Sequence, residues 1–218
     1  MAGIHTAYPA VEIREVVVDL SSLWSVREAA ARVHEIVKRD GRGGLDVLFN
    51  NAGINISERK VSPEGVELQF ATNHLGPFLF TNLLLPLFFT TRPEHHSPSR
   101  KRIVNTSSEA HRISPVRFSD INQVPGAAVE EEDKPRRGLP KGILREDGRY
   151  EPAVAYGGSK TANILMAVGL NARLGERIKS FAVMPGSEVQ LFLSWPPEVD
   201  VGADRASDTD GPRSRHGR

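Results

Sequence analysis

Tyr156 and Lys160 set a phenol and an ammonium four positions apart, and proton transfer is the chemistry this pair suits. A tyrosine in water ionises near pH 10, too high for efficient transfer at neutral pH. A cation beside the ring favours the phenolate and brings that value down. Side chains four apart share one face of a helix, so a helix would hold the two together. The run from Thr161 to Leu174 repeats apolar residues every three or four places, which predicts an amphipathic helix near 154–175. The spacing alone is also met at exposed helix starts, so its meaning depends on its surroundings.

Three segments supply those surroundings. Leu45-Asp-Val-Leu-Phe-Asn-Asn-Ala-Gly53 reads as a buried strand ending in a polar turn, and Arg102-Ile-Val-Asn-Thr-Ser-Ser108 as a second ending in hydroxyls. Ala182-Val-Met-Pro-Gly186 is a third strand end, broken by Pro185 and Gly186. In a parallel sheet with helical crossovers, ligands bind beyond the carboxyl ends of the strands. All three ends then point at one crevice, with Tyr156 between the second and third. The wider pattern predicts strands near 13–19, 45–50, 101–106 and 178–184, with helices near 22–39, 63–89 and 154–175. Plainer readings stand beside these. Ser107 and Ser108 suit a strand-to-loop turn, Asp19 suits the cap of the next helix, and Asn50 and Asn51 suit a turn. Gly41, Gly43 and Gly44 precede a strand instead of opening a helix, so they read as a helix stop and not as a phosphate loop.

Taken in order, Asn51-Ala52-Gly53, the Ser108–Tyr156–Lys160 set and Pro185-Gly186 resemble the short-chain dehydrogenase/reductase family over roughly residues 11–190. Val18-Asp-Leu-Ser-Ser-Leu23, Asn73-His-Leu-Gly-Pro-Phe78 and Ser159-Lys-Thr-Ala-Asn163 are similar to its retinol-dehydrogenase-like and WW-domain-oxidoreductase-like branch. The resemblance implies a Rossmann-like α/β fold: a parallel sheet in three layers, with helices on both faces. It implies an NAD(P)-dependent oxidoreductase that interconverts alcohols and carbonyls on small apolar substrates, NADP being the cofactor slightly favoured by the branch. By the same resemblance Tyr156 is the general acid/base, and Lys160 lowers its pKa and holds the nicotinamide ribose. Ser108 binds the substrate oxygen, and Asn73 anchors a proton-relaying water. Asn51, Ala52, Gly53, Pro185 and Gly186 line the cofactor, and Asp19 bonds its adenine.

The chain departs from that pattern at both ends. No strand runs into a glycine-rich loop and helix, where backbone N–H groups would hold a pyrophosphate. The first two strands are therefore expected to be missing, which leaves residues 13–19 either to close up against 45–50 or to fray. Gln190 stands where the pattern usually has a threonine. These departures keep a second reading open: a catalytically silent remnant, or a binding module unable to hold the dinucleotide. The expected organisation is a partial domain over 1–194, a mobile acidic and proline-containing insertion at 118–151, and a disordered polar tail at 195–218.

Composition fits an ordinary globular domain. With 218 residues the chain can bury one sizeable core, and a formal net charge of +1 gives no electrostatic case for nucleic acid. The absence of cysteine excludes disulfides, thiol nucleophiles and Cys-ligated zinc. His74 reads as structural, and His95 and His96 have no carboxylates spaced to make a metal site with them. The greasiest run, Phe78 to Phe89, carries Thr81, Asn82 and Pro86 and falls short of the ~20 apolar residues a membrane span needs. No secretory signal is visible, and a cytoplasmic location is expected. Members of the family often pair through the helices near 63–89 and 154–175, so a homodimer is among the expected assemblies.

Overall fold

The computed structural model describes residues 9–41, 43–90, 101–139, 142, 144 and 149–186. The first helix, α1 (Leu23–Arg39), starts where the Ser22 hydroxyl accepts from the Ser25 N–H at 3.3 Å. It ends on Lys38 and Arg39, whose charge complements the carboxyl end of the helix dipole. Gly44 follows at φ +140°, and a Cβ there would fall 2.3 Å from the Leu87 carbonyl oxygen. Only glycine lets the chain turn so close to Leu87, near the end of the helix Gly76–Phe89, and the neighbouring Leu45 N–H then bonds the same carbonyl at 3.0 Å.

Strand β1 (Val47–Asn50) is followed by the short helix α2 (Leu68–Phe70), a π turn (Ala71–Leu75) and α3 (Gly76–Phe89). Strand β2 (Arg102–Thr106), a 3₁₀ turn (Glu109–Arg112), α4 (Pro152–Leu174) and β3 (Lys179–Val183) complete the described order, with one further 3₁₀ turn at Glu131–Asp133. The described sheet is β1-β2-β3, parallel throughout, with Phe49 beside Val104 and Val104 beside Phe181. This is an incomplete Rossmann-like sheet, as the motif order predicts.

The apolar core lies on one side of it. Ala30 of α1, Leu84 and Leu87 of α3 pack with Leu45 and Leu48, while Phe88, Ile103 and Ile178 pack with Leu170 and Leu174 of α4. On the opposite side the two flanking strands are open, Val47, Phe49 and Phe181 being 51%, 58% and 45% exposed, while Val104 on the central strand is buried. Parallel sheets are ordinarily covered on both faces. Residues 11–19 form no strand, and Val17 is 85% exposed, so the strand expected at 13–19 does not join the sheet. Its β-branched run had a strand's composition, but no ladder partner lies beside it, and an unpaired strand has nothing to hold its backbone groups.

The segment expected as a mobile insertion has anchor points in its described part. Asp133 accepts from both the N–H and the hydroxyl of Ser119 at 2.6 Å, and Asp120 pairs with Arg117 at 3.0 Å. Asn122 joins it to the rest of the molecule, accepting from the Arg59 side chain and from the Glu67 N–H, each at 3.0 Å. Gln190, His95, His96 and the tail at 195–218 lie outside the described residues.

Candidate active site

Lys160 is 3% exposed, and its ammonium donates to the Thr106 carbonyl at the end of β2 at 3.1 Å. Burial disfavours the charged form and brings its pKa down to about 8. The ammonium sits 5.4 Å from the centroid of the Tyr156 ring, one helical turn earlier on α4, and Tyr156 is half-buried. The helix therefore places the phenol and the cation on one face.

Asn73 reaches the same place from the π turn. Its carboxamide accepts from the Ile54 N–H at 2.7 Å and donates to the Ile54 carbonyl at 2.9 Å, which straps the turn after β1 to the helix. It also donates to the Ser159 hydroxyl at 3.0 Å, and that hydroxyl donates to the Tyr156 carbonyl at 2.7 Å. The π turn carries one more residue than a regular helix, as the Gly76 N–H bonds back to the Ala71 carbonyl. Such bulges occur frequently at functional sites. Gly53 closes the ring: a Cβ there would lie 3.0 Å from the Asn73 Oδ1 and 3.3 Å from the Lys160 Nζ. Asn51, Ala52 and Gly53 are exposed, and the Thr106 hydroxyl donates to the Asn51 side chain at 3.2 Å.

Ser108 follows β2 and caps the 3₁₀ turn, its hydroxyl accepting from the Ala110 N–H at 3.3 Å. Its neighbour Ser107 is buried and donates to the Lys160 carbonyl at 2.9 Å, while Thr161 donates to the Ser114 carbonyl at 2.7 Å. The turn carrying Ser108 is thus docked on α4. Pro185 and Gly186 lie exposed just beyond β3, Gly186 at φ +86°. Asp19 stands apart from this group. Its carboxylate accepts from the N–H and hydroxyl of Ser21 at 2.8 and 2.7 Å, the local bonding of a helix entrance.

Asn163 was not foreseen from sequence. It is 3% exposed, and its amide donates to the Asn73 carbonyl at 3.1 Å and the Thr106 carbonyl at 3.0 Å. The signal was present: Asn163 and Ser159 share the Tyr156–Lys160 helix face, where two further polar residues need partners if that face is buried. His74, read from the sequence as structural, is bonded to Asn163 at 3.0 Å.

These elements and their order are those of a known family. Residues 3–119 match the family model for short chain dehydrogenases, and the chain belongs to that family. It is 33% identical over 195 residues to oxidoreductase fscI of Fusarium equiseti, covering 88% of this chain and 70% of that protein. It is 34% identical over 169 residues to retinol dehydrogenase 13 of Homo sapiens, covering 77% of this chain and 41% of the relative. Among solved structures, a crystal structure of an uncharacterized Mycobacterium paratuberculosis protein aligns with a TM-score of 0.54 at 34% identity, covering 82% of this chain and 51% of that one. The NADPH-bound carbonyl reductase of chicken fatty liver shares the fold, with a TM-score of 0.52 at 24% identity over 85% of this chain and 61% of that one. The chain thus spans about half the length of several of the relatives it matches, from 41% to 51%. No helix among the described residues is long and apolar enough to cross a membrane.

Proposed function

We propose that this chain carries the proton-handling centre of an NAD(P)-dependent oxidoreductase that interconverts an alcohol and a carbonyl. The observation that carries this reading is the buried Lys160 ammonium, held 5.4 Å from the Tyr156 ring and bonded to the Thr106 carbonyl. Tyr156 passes a proton to or from the substrate oxygen. Ser108, beside the same crevice, bonds the substrate oxygen and stabilises charge developing there. Asn73 anchors a water on the route from Lys160 to solvent.

The residues fit a nicotinamide cofactor at one point in particular. Gly53 leaves open the space a Cβ would fill beside the Lys160 ammonium, which lets a ribose hydroxyl approach it. When bound, the cofactor supplies the hydride. Asn51, Ala52, Gly53, Pro185 and Gly186 line the rim on which it would lie, NADP and NAD both being admissible. Asp19 meets the adenine in this reading through Oδ2, since both of its bonds to Ser21 are made by Oδ1. The substrate is a small apolar alcohol or carbonyl. A homodimer would cover Phe78, Leu165 and Val168, which are 44%, 49% and 60% exposed on α3 and α4.

A second reading rests on the described strands, none of which runs into a glycine turn that opens a helix. In it the crevice is kept by a catalytically silent remnant or a binding module unable to hold the dinucleotide. Titrating NADPH and NADH against the purified chain, followed by nucleotide fluorescence, decides between the two. Binding with a saturating signal supports the oxidoreductase. No binding at millimolar cofactor removes that reading for this form of the chain.

A further inference from the structure

Asn163 is one of the most fully committed polar side chains described. Its two amide protons go to two backbone carbonyls, those of Asn73 in the π turn and Thr106 at the end of β2. Its oxygen faces the Nδ1 of His74 at 3.0 Å. The Thr106 carbonyl is shared, since it also accepts from the Lys160 ammonium. One amide therefore ties together the three elements that supply Asn73, Lys160 and the strand end between them.

His74 decides which way that amide points. Its ring lies between Phe70 and Phe78, tilted to each, with centroids 5.3 and 5.8 Å away. With the amide nitrogen on the two carbonyls, the Asn163 oxygen faces Nδ1 and calls for the tautomer that carries its proton there. Turned the other way, the Asn163 oxygen would face two carbonyl oxygens and repel both. Burial keeps the His74 imidazole below its usual pKa, consistent with a neutral donor.

The geometry points to Asn163, oriented by His74, as a positioning residue that sets where the Lys160 ammonium sits relative to Tyr156 and Asn73. This rests on the oxidoreductase reading for its purpose, but not for its test. Facing Lys160 are the Tyr156 ring on its own helix, the Thr106 carbonyl from β2 and, across the Gly53 gap, the Asn73 carboxamide. Asn163→Asp keeps the shape, replaces the two donors with a carboxylate and puts a negative charge beside the ammonium. His74→Phe keeps the aromatic contacts and removes the donor that orients the amide.

The test is a pH titration of the chain with ¹³C-labelled lysine, the Lys160 signal being assigned by its loss in Lys160→Arg. Asn163→Asp is expected to raise the Lys160 midpoint by about one unit or more. His74→Phe is expected to raise it less, and to add nothing once Asn163 is Asp. Circular dichroism shows which variants fold, and His74→Phe stands as the independent arm should Asn163→Asp not fold. Asn163→Asp moves the midpoint by charge alone and serves as the control that the probe reports on this site. The decision rests on His74→Phe: if it folds and loses thermal stability while the Lys160 midpoint stays at its wild-type value, the proposal is overturned, because a plain structural strut behaves so. The midpoint needs neither cofactor nor turnover. Failure of the wild-type chain to bind NADPH removes the oxidoreductase reading and leaves this result standing.

Discussion

A Cβ placed on Gly157 would lie 2.6 Å from the carbonyl oxygen of Ala110, the second residue of the turn that Ser108 caps. The helix carrying Tyr156 and the turn carrying Ser108 thus meet at a point where no side chain fits. Gly157→Ala should push the turn away at a cost of ~1–3 kcal/mol, more than the ~0.5–1 kcal/mol that alanine gains in a helix. Gly169, on the same helix, would meet only the flexible end of Arg173 at 3.2 Å. Gly169→Ala should therefore be neutral or stabilising by up to ~1 kcal/mol. Urea unfolding of both variants checks the contrast, and equal losses at the two positions would refute it.

Lys160 gives stability a particular pH dependence. Burial brings its pKa from 10.5 to about 8 in the folded chain. Between those values the unfolded chain holds more protons, so wild-type stability should rise with pH through that window. Below about pH 8 the cost of burying the cation is fully present, on the order of 3 kcal/mol. Lys160→Met should flatten the rise, which unfolding midpoints measured from pH 7 to 10.5 will show. Parallel curves for the two proteins would mean that Lys160 titrates as an ordinary lysine.

Tyr150 ties the end of the insertion to the helix that carries Asn73. Its hydroxyl donates to the fully buried Glu67 at 2.8 Å and accepts from Gln69 at 2.7 Å, and Gln69 also bonds the Pro152 carbonyl at the start of α4. Burial, with the Glu67 carboxylate beside it, pushes the Tyr150 pKa up, so the phenol stays a donor at any ordinary pH. Tyr150→Phe strips Glu67 of that donor and should destabilise by ~1–3 kcal/mol. The measurement is again the unfolding midpoint; a loss under ~0.5 kcal/mol would mean that the network relaxes around the gap.

The exposed apolar side chains Val47, Phe49 and Phe181 on the sheet should bind a hydrophobic dye. Phe49 and Phe181 flank Val104 there, and Phe49→Gln with Phe181→Gln should lower dye fluorescence while changing stability by only about 0.5 kcal/mol each. Dye binding unchanged by both substitutions would place the apolar surface elsewhere.

Element type and order were legible wherever apolar periodicity was strong, as along Leu23–Arg39 and Pro152–Leu174. The strand expected at 13–19 was not, because strand formation depends on a partner that composition cannot name. The anchoring of 118–133 was hidden for a related reason. Short polar side chains such as Ser119 and Asp133 read as solvated until their bonds to one another are known. Within the site, spacing on one helix brought out Tyr156 and Lys160, and motif order brought in Asn73. The bridge from Asn163 to Thr106 crosses from helix to strand, and no periodicity records such a contact.

The π turn at Ala71–Leu75 leaves the chain with a temptation. Deleting one residue there would restore the regular helical ladder and remove a local defect, a change selection for sturdiness alone would favour. It would also turn everything on one side of the cut by about 100° relative to the other. Asn73 could not then reach Ile54 and Ser159 while Gly76 kept its close fit against Leu20, where a Cβ would come within 2.1 Å of the carbonyl oxygen. The extra residue works as a length standard: lineages that still need the crevice should keep the count from Gly53 to Gly76, and lineages released from that need are free to lose it.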